Sequence, residues 1–591
     1  SLHDIYSQRI SHFQSAADGH SHRMNWLSIV RLLSLIAIFW FVFLAVKHKI
    51  PLFYAGSGAM LILFLFLVKR FNFQQDLRNL NRGIRALNQK EISCLKHEFK
   101  DYPDGREFAD PAHPWSHDLD IFGRGSLYQF LNRTSTLKGK SLLAEALTTE
   151  PTGPKMIKER QQLLSDLKER IDFRQTFTAR GEMFSENEDD LPGIEKWLSS
   201  EAYILKRKWL FYIALVMSAL SIGIITYSIF VPGAASLLLP VLLFNFAILS
   251  PFIARTNQYQ GSISKKHDLL QGYALLLGLI ADTPFENEAL KTMQAGAADG
   301  MKEVKKLSKL ISWFDQRLNM LLGVVLNGLF LFDFIMLHLL ETWKIKNRDK
   351  ILEWIRITGH TDAMISLSGF AWNHPDYILP HVEEKQGPLE LSGLGHPLIR
   401  SDKRVNNDLS IEDEQVVIIT GANMAGKSTF LRAIGVNTIL CYVGCPVCAT
   451  KFNMGFMGLF SSMRTADSLA DEESYFLAEI KKLARIVARM EDGQPLLILL
   501  DEVLKGTNTT DKKRGSVGLI HRSLPYPVKC FIATHDLSLG ELEKELPGKV
   551  INYCFESYIE ELKLSFDYTI RKGIATNMNA SFLMKQMGIM D

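Results

Sequence analysis

Apolar and polar residues are not mixed evenly along this chain. Residues 26–46 are mostly apolar with one charge, Arg31, and a second apolar run, 50–68, follows after a very short connection. At ~1.5 Å rise per residue each run suits a hydrocarbon core of ~30 Å, so the pattern predicts a transmembrane helical hairpin. A cleaved leader accounts less well for the first run, which is long, lacks a small-residue cleavage site and is followed at once by the second. A further hairpin is predicted from 209–231, a Pro232-Gly233 turn, and a return over 234–253. Lys206-Arg207-Lys208 precede it and Arg255 follows, while the turn is uncharged, which places both ends in the cytoplasm. Lys69-Arg70 argue the same for the exit of the first hairpin, against Lys47 and Lys49 in its turn. Residues 318–340 are also long enough to span. They carry Asn319, Asn327, Asp333 and His338, however, and a fifth span would put all that follows opposite the Lys206–Lys208 cluster. A buried helix of a soluble part is expected there.

Between and after the hairpins the pattern changes period. Apolar positions three and four apart, as in 143–147 and 157–171, predict helices through 81–208 and 256–387. From 388 onward short β-rich runs, such as 415–420 and 496–500, alternate with helices, the pattern of a mainly parallel sheet. The expected class is therefore α plus α/β. Its segments are 1–80 (tail and hairpin), 81–208 (helical), 209–255 (hairpin), 256–387 (helical) and 388–591 (α/β).

Charge and cysteine content narrow the picture slightly. With 67 basic and 64 acidic residues the net charge is +3, so any nucleic-acid contact must come from local patches such as Lys138–Lys140 or Lys302, Lys305, Lys306 and Lys309. Such runs are more often solvated helix faces. Six cysteines make no disulfide framework, and Cys445 with Cys448 lack a second pair at zinc-site spacing, so they are expected to be small packing residues.

Three strands carry the chemistry. The apolar run Val416-Val417-Ile418-Ile419-Thr420 leads directly into Gly421-Ala422-Asn423-Met424-Ala425-Gly426-Lys427-Ser428, a GxxxxGK[ST] loop in strand–loop–helix context. Its glycines let backbone N–H groups close on phosphates at a helix N-terminus, Lys427 neutralises them, and the Ser428 hydroxyl ligates Mg²⁺. A second strand, 496–500, ends in Asp501-Glu502. Asp501 is expected in the Mg²⁺ shell and Glu502 at the attacking water. A third strand, 530–534, delivers His535 to the same edge as a sensor of the γ-phosphate.

These residues resemble the ATPase domain of the MutS family. The likeness lies in Asn423-Met424-Ala425 within the loop and Ser428-Thr429-Phe430-Leu431-Arg432 after it. It extends to Asp501-Glu502 with Gly506-Thr507 and Thr509, to Ala533-Thr534-His535, and to Phe566-Asp567-Tyr568 with Gly573. Gly395-His396-Pro397-Leu398 and Asn407 are similar to the entry of that family's nucleotide site. The resemblance implies a Mg²⁺-dependent ATPase that binds ATP between two facing domains of a homodimer. The segment from Asp467 through Ser474 to Glu479 is similar to the part that crosses, with Ser474 reaching the partner's γ-phosphate. Glu472 stands where the family has glycine, and Ser462 where it has arginine. More weakly, 125–143 and Asp362 with Ser366-Leu367 look like the start and close of the family's helical core.

Mismatch-reading members carry an N-terminal domain with a Phe-x-Glu element. Here a membrane hairpin takes the first 80 residues, so no such domain is expected, nor a C-terminal nuclease beyond Asp591. Phe184-Ser185-Glu186 spells the element late in a helical region of a chain with 36 phenylalanines, and is expected to be a chance match. Two functions follow. One is a membrane-anchored ATPase of a bacterial cytoplasmic membrane, with four spans, that binds DNA through phosphate contacts in repair, recombination or DNA–membrane attachment. The other is an ABC-like motor acting on a membrane or protein client. The resemblance favours the first.

Overall fold

The computed structural model describes residues 1–184, 186–263, 266–385, 387–463, 475–504, 507–560 and 563–576. Helices α1 (Leu2–His48) and α2 (Pro51–Leu95) form an antiparallel pair that extends well beyond the two apolar runs. A capping box at Ser1 and Asp4 starts α1, Lys49 in the left-handed region (φ 55°) ends it, and Pro51 opens α2 at a position that needs no N–H partner. Their polar ends rejoin the body: the Tyr6 hydroxyl donates to Asn373 Oδ1 (2.6 Å), and Asn88 Nδ2 donates to Gln175 Oε1 (2.9 Å).

The body continues through α3 (Leu127–Leu131), α4 (Leu137–Thr148), α5 (Pro154–Lys168), α6 (Ile171–Gly181) and α7 (Asp190–Ser199). The expected helix over 157–171 is thus two. The chain turns at Glu169-Arg170, where Arg170 is held by Asp166 (2.7 Å). α8 (Lys208–Phe230), a short turn, α9 (Leu238–Leu249) and α10 (Ile253–Ile263) form the second hairpin. Its two ends meet at Tyr203, whose ring is stacked by the guanidinium groups of both Arg207 (4.3 Å) and Arg255 (4.1 Å). Among the described residues four helices, Leu2–His48, Pro51–Leu95, Leu205–Phe230 and Ala234–Ile263, are long and apolar enough to cross a membrane.

α11 (His267–Asp282) and α12 (Glu288–Asp315) lead to α13 (Met320–Phe330) and α14 (Phe332–Asn373). The run 318–340 is not one buried helix. It bends by 87° at Leu331, which adopts φ 48°. The break is held by its own polar residues: Asn327 Oδ1 accepts the Asp333 amide (2.9 Å), Asn327 Nδ2 donates to Asp333 Oδ1 (3.1 Å), and Arg317 closes on Asp333 (2.7 Å).

α14, 42 residues and about 60 Å long at ~1.5 Å per residue, is the spine of the body. Fully buried Glu341 accepts the amides of Tyr203, Ile204 and Leu205 just ahead of α8 (2.7–2.9 Å). Fully buried Asp362 accepts from the amide and hydroxyl of Ser135 and of Thr136, capping α4, while Ser366 Oγ accepts the Arg133 amide (2.6 Å). The two stretches that resembled the start and close of a helical core therefore meet.

Strands β1 (His381–Glu383), β2 (Leu389–Leu394) and β3 (Asn407–Ile411) precede β4 (Val416–Gly421) and α15 (Lys427–Tyr442). There follow β5 (Lys451–Gly455), β6 (Gly458–Ser462), α16 (Tyr475–Glu491), β7 (Leu496–Asp501), α17 (Thr509–Ser523), β8 (Val528–Thr534), α18 (Leu542–Glu545), β9 (Val550–Glu560) and β10 (Lys563–Lys572). The larger sheet runs β10-β9-β4-β8-β7-β6 and is parallel except for β10. Its middle strands read as continuous apolar runs because both faces are covered. Val417, Ile419, Leu497 and Leu499 join the core with α15 and the helical body, and Val416, Ile418, Leu496 and Ile498 join a second core with Ile486 of α16 and Ile520 of α17. A smaller sheet, β1-β5-β2-β3, was not anticipated and begins at His381, ahead of residue 388. Cys445 lies buried beneath α15 with its thiol on the Leu367 carbonyl, and burial pushes that thiol up.

Burial raises the Asp362 carboxyl to about 7, and the donors of Thr136 and Ser135 pull the other way. Asp362→Asn, which turns an N–H₂ toward those donors, should cost about 1–3 kcal/mol locally. Hydrogen exchange at the first turn of α4 should quicken, and unchanged protection there would refute this role.

Candidate active site

The site is built at the C-terminal edge of the larger sheet, where strand ends bring distant residues together. β4, wholly buried between β8 and β9, ends at Gly421. The backbone there passes so close to the Phe555 carbonyl that a Cβ would lie 2.5 Å from it, and only glycine fits. The loop turns through Met424 (φ 71°) and Gly426 (φ 108°), with Asn423 and Met424 exposed and Ala425 buried. Lys427, Ser428 and Thr429 then form the first turn of α15, whose free N–H groups make a positive pole. Buried Lys427 threads beneath the loop, its Nζ donating to the carbonyls of Gly421 (2.7 Å) and Ala422 (2.8 Å).

β7 and β8 supply the facing wall. Asp501, last in β7, pairs in register with Ala533. Glu502 turns into the left-handed region (φ 55°) and donates its amide to the Ala533 carbonyl (2.9 Å). That turn sets Glu502 Oε1 3.0 Å from His535 Nδ1, so the structure brings these two predicted residues into contact. Among the described residues no group of three or more His, Cys, Asp or Glu side chains could hold a metal unaided. Asp501 and Ser428, one carboxylate and one hydroxyl, suit a hard cation that takes its remaining ligands from phosphate and water, the usual manner of Mg²⁺.

Beside the loop opens a cavity of about 300 Å³, lined by His396, Asn407, Gly426, Thr429, Phe430 and Tyr568 among others. His396 lines it. Its burial, and then Arg432 and Arg404, hold the imidazole down at about 4, so it is neutral. Asn407 also lines it, but its amide is committed to the bulge of β10: Nδ2 donates to the Tyr568 carbonyl (3.1 Å) and Oδ1 accepts the Ile570 amide (2.7 Å). The aromatic lining of Phe430, Phe555 and Tyr568 was not singled out from the sequence. Tyr568, at φ 55° in the bulge, is the residue that turns toward Gly426.

Ser474, like Asp467, Glu472 and Gly506, lies outside the described residues. Glu479, at the end of the segment expected to cross to a partner, is buried in its own chain and accepts the Leu504 amide (2.6 Å), which fixes the turn after Glu502. Ser462 ends β6. Phe184 packs on Gly272 and Tyr273, while Glu186 accepts from the Tyr273 hydroxyl and the Leu137 amide (2.7 Å each). Both are thus internal packing residues. Lys302, Lys305, Lys306 and Lys309 are all exposed, and their spacing sets them on one face of α12.

A parallel sheet carrying its polar residues at the C-terminal strand ends, around a glycine loop, defines an α/β domain with its site at the topological edge. A family model, MutS domain V, matches residues 417–586. DNA mismatch repair protein MutS of Thermotoga petrophila is 31% identical over 252 residues, which is 42% of this chain and 31% of that protein. MutS of Chloroflexus aurantiacus is 30% identical over 250 residues, 41% and 25% of the two chains. Mismatch repair protein MSH3 of Debaryomyces hansenii is 26% identical over 251 residues, 40% and 24%. Through this C-terminal region the chain is similar to the MutS family, and the matched stretch spans under a third of each of these relatives.

An imidazole held near 4 in the fold and near 6.5 when unfolded takes up its proton on unfolding, so it withdraws stability as pH falls from 6.5 toward 4. One such group accounts for at most about 1.4 kcal/mol per pH unit in that window. His396→Gln should therefore flatten the acid-side fall in denaturant midpoint between these pH values. An unaltered slope would show that His396 is not held neutral.

Proposed function

We propose that this chain is a membrane-anchored, Mg²⁺-dependent ATPase of the MutS type, which couples ATP-driven closure of two copies to DNA binding without reading mismatches. The observation that carries the reading is the strand–loop–helix of 416–442, with Lys427 beneath the loop and the Glu502–His535 pair on the adjoining strand ends. The loop amides and the first turn of α15 would receive phosphate oxygens, and Lys427 would neutralise them. Ser428 and Asp501 would hold Mg²⁺, which when bound offsets the charge of the phosphate oxygens. Glu502 polarises the attacking water, and His535 orients Glu502 and lies where it can sense the γ-phosphate. The cavity of about 300 Å³, with neutral His396 and the rings of Phe430 and Tyr568, suits a nucleobase. Ser474 of a second copy would complete the site.

The names of the relatives support a DNA-repair setting, and the lysine face of α12 supports contact with phosphate rather than with base edges. The four apolar helices support anchoring in a bacterial cytoplasmic membrane by two hairpins, with the α/β part on the cytoplasmic side. α14, fixed to the second hairpin at Glu341 and to α4 at Asp362, is the element through which closure would be felt at the membrane.

Lys427→Ala should abolish ATP binding in calorimetry. Glu502→Gln should keep it, lower turnover by about 10²-fold or more, and accumulate a nucleotide-dependent dimer. Undiminished binding by the first variant, or wild-type turnover by the second, would overturn the assignment.

DNA binding by the detergent-solubilised protein should fall steeply with salt and differ by less than about threefold between a G·T mismatch and matched duplex. A mismatch preference that survives physiological salt would contradict the DNA part of the reading.

A further inference from the structure

Residues 317–341 enter and leave the second hairpin at the same end while touching its middle. At the entry, Gln260 Nε2 donates to Asp315 Oδ1 (3.0 Å) and Arg317 Nη1 donates to Asn257 Oδ1 (2.8 Å), so α12 ends against α10, beyond Arg255. At the exit, Glu341 accepts the amides of 203–205, just ahead of Lys206-Arg207-Lys208. Both ends thus lie at the basic base of the hairpin.

The tip lies elsewhere. The last carbonyls of α13, which no helix satisfies internally, are each met by a side chain of the second hairpin. Asn245 Nδ2 donates to the Gly328 carbonyl (2.8 Å), Ser221 Oγ to that of Leu329 (2.6 Å) and Ser218 Oγ to that of Phe330 (3.0 Å). Ser218 lies ten residues into α8, about 15 Å from its start and so about halfway across a ~30 Å hydrocarbon core. Ser221 and Asn245 are fully buried. A Cβ on Gly328 would come within 3.0 Å of Leu242, so the glycine permits this close crossing. The outward side of α13 is apolar: Met320 and Leu321 are 82% and 80% exposed, Leu322, Val324 and Val325 are exposed too, and Leu239, Leu243 and Phe244 of α9 continue the surface.

We infer that 317–341 is a re-entrant element whose helix α13 inserts among the acyl chains of the bilayer from the cytoplasmic side. The inference rests on the proposed membrane crossing of the second hairpin. The lipid is its partner because the contacts of α13 set its depth, and non-helical backbone at that depth persists only where protein groups satisfy it. A fifth span does not fit, since beyond the 87° bend at Leu331 the chain reaches Glu341, whose bonds to the amides of 203–205 place it at the end it came from. The Arg317–Asp333 pair, with Asn327, closes the polar groups of the bend upon one another. α14 accordingly begins inside the membrane.

Depth-dependent quenching tests this on the full chain in vesicles of phosphatidylcholine and phosphatidylglycerol. Leu321→Cys and Val325→Cys carry a bimane label, with Leu243→Cys in α9 and Lys350→Cys in α14 as lipid and water references. The six native cysteines are buried, and an unlabelled parent chain verifies that each preparation is folded. Labels at 321 and 325 should lose fluorescence to brominated acyl chains as the label at 243 does, and should resist aqueous iodide as it does. If iodide quenches 321 and 325 while brominated lipid quenches 243, α13 lies outside the bilayer and the inference fails with the hairpin intact. If iodide quenches 243 as well, the membrane reading fails and takes the inference with it.

Discussion

A carboxylate sealed from water must be answered by donors, and α14 carries three of them. Asp333, Glu341 and Asp362 are all fully buried, and each is met by a different part of the chain: Arg317 and Asn327, the amides of 203–205, and Ser135 with Thr136. Removing the partner of a buried charge costs several kcal/mol, so each group fixes where its partner must sit. α14 cannot slide or rotate without stranding all three. The body is thereby registered along one axis, from the foot of the second hairpin to the cap of α4.

The α/β part is tied to that axis by packing and by a few ion pairs. Leu119 sits against α15 so closely that a Cβ on Gly435 would lie 2.7 Å away. Arg432 pairs with Asp120 (3.1 Å), Lys482 with buried Asp118 (2.6 Å), and Arg160 donates to the Tyr442 carbonyl (2.6 Å). The helix whose first turn carries Lys427 and Ser428 is therefore held along its length by residues from the helical body. A movement at the loop is a movement of α15, and the helical body must accommodate it.

What could be read from the sequence depended on how local the cause was. β4, β7 and β8 were legible because a strand covered on both faces must be apolar throughout. The loop, Asp501-Glu502 and His535 followed because spacing alone brings them to one edge. The smaller sheet was not legible: Asn407–Ile411 alternates buried and exposed positions over only five residues, and its neighbour β2 also pairs with β5, which follows only after β4 and α15. The polar ends of α1 and α2 were missed because few of their residues are apolar: a small cluster of Phe13, Ile84, Leu87 and Ala179 is supplemented by the hydrogen bonds of Tyr6 and Asn88 to distant partners. The break at Leu331 has no glycine or proline to announce it, and two of the polar residues that argued against lipid, Asn327 and Asp333, turn out to satisfy each other. Asn407 lines the cavity, yet its hydrogen bonds serve Tyr568 and Ile570, a distant pairing that no local pattern encodes.

The stacking of both Arg207 and Arg255 on Tyr203 bears on how such a chain is put together. The second hairpin departs from the helical body and returns to it within the width of one aromatic ring. Topologically it is an insert, and an ancestral body could have closed the gap with a short turn, since neighbouring ends are what tolerate insertion. Energetically it is not separable. Gly328, Leu329 and Phe330 would lose the side chains that satisfy their carbonyls. Hairpin and α13 therefore form one packing unit.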